Sequence, residues 1–116
     1  MRNTIKNHID FKTDRELPSA VNDLFSIRTR MAKFPADPRY GLVVSKRNFR
    51  FAVKRNRVKR LLRDWIAFAA DYMHPELDYV FFARPDILGE NVSRDMGRDL
   101  MVRALKKIQK QYATHK

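Results

Sequence analysis

The chain has 116 residues, 44% of them hydrophobic, and a formal net charge of +12. This length and apolar fraction fit one globular domain and exclude a disordered tail. The sequence has no cysteine, which leaves no disulfide or thiolate metal site, and no run approaches the roughly 20 apolar residues that span a bilayer. We expect a soluble cytoplasmic protein that is stabilised by packing.

The first quarter of the chain is predicted to hold a flexible segment and a short helix. Residues 1–16 are mainly polar and charged, so we predict a flexible N-terminal segment there, followed by a single domain over 17–116. In LPSAVNDLF an early proline and apolar residues at helical spacing predict a first helix. The apolar side of this helix would comprise Leu17, Val21 and Leu24.

Two stretches that follow are predicted to be strands. FSIRTRMAKF alternates the apolar residues Phe25, Ile27 and Met31 with polar ones, which is typical of a strand with one buried face. After a turn at PADPRYG, the continuous apolar run GLVVS predicts a short, fully buried strand.

The positive charge is concentrated in one block of the chain. Residues 38–63 contain ten basic residues and no acidic one, whereas the remainder contains fifteen basic and thirteen acidic residues. Such a block repels itself unless a polyanion or solvent relieves the repulsion. The charge by itself is also compatible with a solvated surface that binds nothing. The geometry of the block therefore has to distinguish a binding surface from a solvated one.

The block continues into a helix that we predict from about residue 51 to a point before His74. At about 100° per residue, its apolar residues form one stripe, which predicts packing on a sheet: Val58, Leu61, Leu62, Trp65, Ala69 and Tyr72. A second, polar stripe lies roughly 140° away: Arg55, Asn56, Lys59, Arg60 and Arg63. Cations aligned in this way favour a nucleic-acid phosphate backbone as the partner. A basic helix on a membrane surface is less favoured, since the sheet already uses the apolar stripe.

A strand and a helix complete the chain. DYVFFARP predicts a second buried strand, and the order strand, helix, strand predicts that the two strands are parallel. The last 26 residues predict a helix capped by Asn91 or Ser93. Its core stripe would comprise Leu100, Met101, Ala104, Leu105, Ile108 and Tyr112.

Other residues that often carry chemistry are predicted to lie on the surface or in the core. His8, His74 and His115 fall in three separate polar stretches, and the acidic residues show no spacing typical of a metal site or a nuclease centre. We therefore predict no catalytic residue and no metal ligand in the chain. Five aromatic residues of the basic helix and the strand after it are predicted to lie in the core rather than to stack on a ligand: Trp65, Phe68, Tyr72, Phe81 and Phe82.

The stretch SKRNFRFAVKRNRVKRLLR resembles the signature of the bacterial ribonuclease P protein subunit, in which a basic strand end leads to a helix with an Arg-Asn-Arg motif. PRYGLVVSKR and LDYVFFARP resemble the flanking family strands, and the last helix resembles the closing family element. The matching residues of the signature are Ser45, Lys46, Arg47, Ala52, Val53, Arg55, Asn56, Arg57, Val58, Lys59, Arg60, Leu61, Leu62 and Arg63.

The resemblance implies an α+β sandwich in the order helix, three strands, helix, strand, helix. It also implies a left-handed crossover through the basic helix, against the usual right-handed preference. The first strand is expected to be shortened or missing, because the segment before FSIRTRM is short.

The function implied is binding to the catalytic RNA of ribonuclease P and to the 5′ leader of precursor tRNA, with hydrolysis by Mg²⁺ ions held mainly by the RNA. No membrane contact and no obligate protein partner are expected. The residues implied to dock the RNA are Lys46, Arg47, Arg55, Asn56, Arg57, Lys59, Arg60 and Arg63, of which Arg57 lies off the main stripe. Two alternatives stay open: a stand-alone RNA-binding or ribosome-associated protein, and a protein nuclease.

The expected leader site departs from the family pattern. Family members carry aromatic residues at positions that align with Leu17, Val21 and Arg28, and none of these is aromatic here. Leader binding is therefore expected to depend more on cations, or on another aromatic residue of the same strand. The candidate leader residues are Leu17, Val21, Phe25, Arg28 and Arg30.

Overall fold

The computed structural model describes residues 3–4, 16–32 and 39–115. These residues form five strands and two α-helices, together with two short 3₁₀ helices at Ala70–Tyr72 and Pro85–Leu88. In chain order the elements are β1 (Asn3–Thr4), β2 (Ser19–Val21), β3 (Phe25–Met31), β4 (Arg39–Val43), α1 (Ala52–Ala69), β5 (Leu77–Ala83) and α2 (Arg94–His115). This α+β composition agrees with the expected fold class.

The strands form one mixed sheet in the order β1, β4, β5, β3, β2. The central strand β5 pairs antiparallel with β3 and parallel with β4. The basic helix α1 connects the two parallel strands, so the predicted strand, helix, strand unit is confirmed. The left-handed sense of this crossover stays a prediction.

Both helices pack on the same face of the sheet. The register pairs Ile27 with Phe81 and Phe25 with Ala83, which directs these side chains to one face, and the rings of Phe25 and Trp65 lie 6.2 Å apart. The helix α2 lies beside α1 and contributes buried Met101, Leu105 and Ile108 to the same core. Neither helix, within the part of the chain that the structure describes, is long and apolar enough to cross a bilayer.

The helix predicted over residues 17–25 is wrong, because β2 occupies this segment and pairs with β3 as a hairpin. The side chain of Asn22 forms the turn: its Oδ1 accepts the backbone N–H groups of Leu24 and Phe25 at 2.9 and 3.0 Å. Asparagine competes with helical hydrogen bonding in this way, and a short helix is marginal without tertiary support. Besides β1, the three strands β2, β3 and β4 therefore precede α1. The strand β2 has only three residues, in agreement with the expected shortening of the first strand.

Part of the predicted flexible segment belongs to the sheet. Asn3 and Thr4 pair in parallel with Arg39 and Tyr40 of β4. Residues 1–2 and 5–15 lie outside the described residues.

Several predicted core residues are more exposed in the structure than expected. Met31, at the end of β3, is 51% exposed, and Thr29 is buried instead, with its hydroxyl donating to the Pro18 carbonyl at 2.6 Å. Phe68 is 56% exposed, because it lies on the outer side of α1, where the Arg98 guanidinium stands 4.7 Å from its ring centroid. The apolar run of β4 is only half-buried at Leu42 and Val43.

Candidate nucleic-acid interface

The connection from β4 to α1 presents two basic side chains to solvent. Lys46 and Arg47 are exposed in a turn that Ser45 organises, since its carbonyl accepts the Phe49 N–H at 3.0 Å and its hydroxyl accepts the Asn48 N–H at 3.2 Å. Phe49 is buried and anchors the end of this turn in the core. The turn therefore holds its two cations beside the start of α1.

Arg55 has an internal contact that the sequence did not reveal. Its Nη1 donates to the carbonyl oxygens of Phe49 and Arg50, both at 2.9 Å, and the residue is half-buried. These hydrogen bonds fix the backbone immediately before α1. Arg55 thus positions the basic segment, in addition to the RNA contact that the resemblance implies.

The buried side of α1 is rotated relative to the prediction. Ile66, which the predicted stripe omitted, is buried, and Leu61 is only half-buried. The buried residues of the helix are Val58, Leu62, Trp65, Ile66 and Ala69. At about 100° per residue, the side opposite these residues is centred on Arg60.

The outward face of α1 therefore comprises Asn56, Arg57, Arg60 and Arg63, all of which are exposed. Arg57 and Arg63 lie about 60° to either side of Arg60 on the helical wheel. Arg57, which lies off the predicted stripe, is thus part of the exposed face, and its contact with RNA stays a prediction. Lys59, near the edge of this face, is half-buried.

The electrostatic environment of the outward face is strongly positive. The first turn of α1 contains no acidic residue, and Phe51 at its N-cap provides no side-chain hydrogen bond. The positive end of the helix dipole therefore adds to the charge of Lys54 in the first turn, and Arg57 and Arg60 continue the positive surface along the helix. Across residues 3–4, 16–32 and 39–115, no ion pair neutralises Lys46, Arg47, Arg57, Lys59, Arg60 or Arg63. A surface of this kind attracts an anion.

A cleft of about 260 Å³ separates α1 from the segment before α2, and Arg57 and Arg60 line it on the α1 side. Asp64 also lines the cleft, but its carboxylate is bound by Arg98 at 3.0 Å and lies 3.8 Å from Arg94. The hydrogen bond from Arg98, assisted by the charges of both arginines, holds the pKa of Asp64 below its usual range. The carboxylate is thus engaged by α2 and leaves Arg57 and Arg60 available to a ligand.

The candidate leader residues do not form one surface. The pairing register places Val21, Arg28 and Arg30 on the sheet face opposite the helices. Arg28 is exposed, whereas Nε of Arg30 lies 3.8 Å from the buried Asp78 carboxylate. Leu17 is partly buried and packs against the core cluster.

Phe25 is fully buried and packs against Trp65, so its assignment as a contact for a leader base is wrong. The alternation of β3 directs it to the same face as Ile27, toward the helices. That alternation was visible in the sequence and argued for burial.

The described residues provide no metal centre. Among them, no three His, Asp or Glu side chains are grouped closely enough to hold an ion. His74 instead has a structural role, since its Nδ1 accepts the Glu76 N–H at 3.0 Å and its ring packs edge-on against Tyr112 at 4.8 Å.

Comparison with known proteins identifies the family. The family model for ribonuclease P matches residues 2–112. The ribonuclease P protein component of Marinobacter nauticus is 39% identical over 71 residues, which are 60% of this chain and 52% of that protein, so the match spans about half the length of this curated relative.

Solved structures show the same fold. The RNase P protein of Staphylococcus aureus superposes with a TM-score of 0.70 at 23% identity, over 97% of this chain and 99% of that one. The RNase P protein of Thermotoga maritima gives a TM-score of 0.65 at 25% identity, over 77% of this chain and 81% of that one. The family match over nearly the whole chain, together with this shared fold, shows that the chain belongs to the ribonuclease P family of proteins.

Proposed function

We propose that the chain is the protein subunit of ribonuclease P, which binds the catalytic RNA and the 5′ leader of precursor tRNA while the leader is removed. The observation that carries this proposal is the outward face of α1, whose arginines are exposed and lack carboxylate partners within the described residues. A folded RNA supplies the phosphates that such a face requires. In this role the protein works in the cytoplasm and needs no obligate protein partner.

The outward face is suited to docking on an RNA backbone. The planar guanidinium groups of Arg57, Arg60 and Arg63 can bind phosphate oxygens through two hydrogen bonds, and Asn56 can donate to and accept from a base edge or a ribose hydroxyl. Lys46 and Arg47 extend the positive surface beyond the start of the helix. Because α1 is packed on the sheet, these groups are held in a fixed relative position before the RNA arrives.

The chain is assigned no hydrolytic step. The described residues offer no carboxylate cluster for Mg²⁺, and Asp64, the carboxylate nearest the outward face along α1, is bound by Arg98. In the proposed role the metal ions are held mainly by the RNA, and the protein binds and orients the RNA and neutralises its charge. The endonuclease activity then belongs to the assembled holoenzyme.

Reconstitution tests the proposal. The chain is combined with a bacterial catalytic RNA and precursor tRNA at limiting Mg²⁺, and the rate of 5′ cleavage is compared with that of the RNA alone. Faster cleavage supports the proposal. RNA binding without acceleration would favour a stand-alone RNA-binding protein, and cleavage by the protein alone would favour a protein nuclease; either result would contradict the proposal.

Substitution of Arg60 is expected to weaken binding to the catalytic RNA and to reduce its salt dependence. Arg60 is at the centre of the outward face, and each phosphate contact that is lost removes about one unit from the slope of log K against log salt. The measurement is a salt titration of RNA affinity for Arg60→Ala. Lys107→Ala is the matched control, because it removes an exposed cation from α2. An unchanged slope for Arg60→Ala would show that this side chain contacts no phosphate.

Substitution of Arg28 tests the leader surface. Arg28 is exposed on the sheet face opposite the helices, whereas the neighbouring Arg30 lies beside Asp78. We expect Arg28→Ala to lower the affinity for precursor tRNA with a leader roughly tenfold, in the range of a charge-assisted hydrogen bond, and to leave the affinity for mature tRNA unchanged. Equal effects on both tRNAs would place the leader elsewhere.

A further inference from the structure

The N-terminus of α1 carries an exposed aromatic side chain that neither the core nor the outward face accounts for. Phe51, the N-cap residue, is 62% exposed. In contrast, Phe49, two residues earlier, is buried in the core. The helix α1 begins at the next residue, Ala52. Leaving a phenyl ring in water forgoes the free energy of its burial, so a partner that covers the ring would stabilise this surface.

The backbone that carries Phe51 is fixed by hydrogen bonds on both sides. Nη1 of Arg55 binds the carbonyls of Phe49 and Arg50, and the Phe51 carbonyl accepts the N–H groups of Lys54 and Arg55, both at 3.1 Å. The ring is therefore presented from a rigid base rather than from a mobile loop. A preorganised aromatic residue loses little conformational entropy when a ligand covers it.

The charges around Phe51 define the chemistry of that ligand. Five cations lie within five residues of it in the sequence, at Lys46, Arg47, Arg50, Lys54 and Arg55, and the nearest acidic residues are Asp37 and Asp64. Cations around an exposed ring are typical of surfaces that bind single-stranded nucleic acid, where phosphates meet the cations and bases stack on the ring. A membrane surface would need the broad apolar side of α1, which the sheet covers.

We propose that Phe51 is a stacking platform for an unpaired nucleotide of RNA. This inference rests on the proposed function and adds a contact to a base, whereas the arginines of the outward face bind the backbone. Stacking releases no counterion, so it differs measurably from a phosphate contact. The nucleotide can come from the leader or from an unpaired segment of the catalytic RNA.

The test compares variants of Phe51 in the full chain by binding to two probes, a single-stranded RNA of leader length and the catalytic RNA. We expect Phe51→Ala and Phe51→Leu to weaken binding to at least one probe roughly 5- to 100-fold, the effect of losing one stacked base, with an unchanged salt slope. Loss with the short RNA identifies the leader as the source, and loss with only the catalytic RNA identifies that RNA. Phe51→Trp is expected to retain affinity and to show quenched fluorescence when RNA binds, since Trp65, the natural tryptophan, is buried.

Phe68→Ala is the matched control, because Phe68 is similarly exposed but lies near the C-terminal end of α1 beneath Arg98. Affinities of Phe51→Ala within twofold of the wild type for both probes would overturn the inference. Full affinity of Phe51→Leu, a reduced salt slope, or binding to anionic vesicles that depends on Phe51 would also overturn it. If the wild-type chain fails to accelerate cleavage in the reconstitution, the proposed function fails; if it accelerates cleavage and Phe51→Ala binds normally, only this inference fails.

Discussion

Replacement of Gly97 by alanine is expected to lower the free energy of unfolding by about 2 kcal/mol, the cost of overpacking a close contact. A methyl group on Gly97 would overlap Cε2 and Cζ2 of Trp65, which is buried where α1 and α2 meet. The backbone does not require glycine there, because no residue in the described part of the chain has a positive φ that would demand it. The effect is therefore steric, and it outweighs the gain of about 1 kcal/mol that alanine normally brings to a helix.

Chemical denaturation of Gly97→Ala measures this effect, and Trp65→Phe provides the control background. The smaller ring lacks the fused portion that meets the new methyl group, so Gly97→Ala should cost less when Trp65 is already phenylalanine. The comparison is a double-mutant cycle, which isolates the contact from the cost of each single change. A Gly97→Ala protein more stable than the wild type would contradict the close contact between Gly97 and Trp65.

Replacement of Asp78 by alanine is expected to have a larger effect, about 3 kcal/mol, because Asp78 is a buried charge that links three strands. Its side chain is fully buried on β5; Oδ1 accepts the backbone N–H of Arg39 on β4 at 2.8 Å. Its Oδ2 lies 3.6 Å from Nη2 of Arg39 and 3.8 Å from Nε of Arg30 on β3. Alanine would remove the acceptor of the Arg39 amide and the charge beside two largely buried guanidinium groups.

One substitution separates the charge of Asp78 from its hydrogen bond, and a second, at Asp99, is a control for the loss of a surface carboxylate. Asp78→Asn keeps an acceptor for the Arg39 amide but removes the charge, so its unfolding free energy should fall between those of the wild type and Asp78→Ala. Asp99→Ala removes an exposed carboxylate that pairs with Arg103 on the surface of α2, and its effect should be within about 0.5 kcal/mol of zero. A similarly small effect of Asp78→Ala would show that the buried pair contributes no stability.

Much of the candidate interface was predictable from the sequence, because it depends on one helix. The period of the apolar residues in α1 identified Val58, Leu62, Trp65 and Ala69 as buried, and the gap in acidic residues identified the outward charge. Both signals are local. A helix fixes which residues share a side whatever surrounds it.

The features that were mispredicted depend on partners distant in the sequence. Residues 17–25 had helical spacing, but pairing with β3 and the Asn22 turn made them a hairpin. Phe68 was predicted to lie in the core, but in the packed helix it lies on the outer side, next to Arg98. In each case tertiary contacts outweighed a weak local preference.

The sequence by itself determined that a basic helix would pack one side on a sheet and direct arginines away from it, because periodicity and charge are properties of contiguous residues. Only the tertiary structure decided the rotation of that helix, since burial of Ile66 in place of Leu61 places Arg60 at the centre of the exposed face. The internal role of Arg55, the buried Asp78 and the exposed ring of Phe51 were likewise decided there. Packing against β3 and α2 selects this orientation, because side chains distant in the sequence meet α1 there.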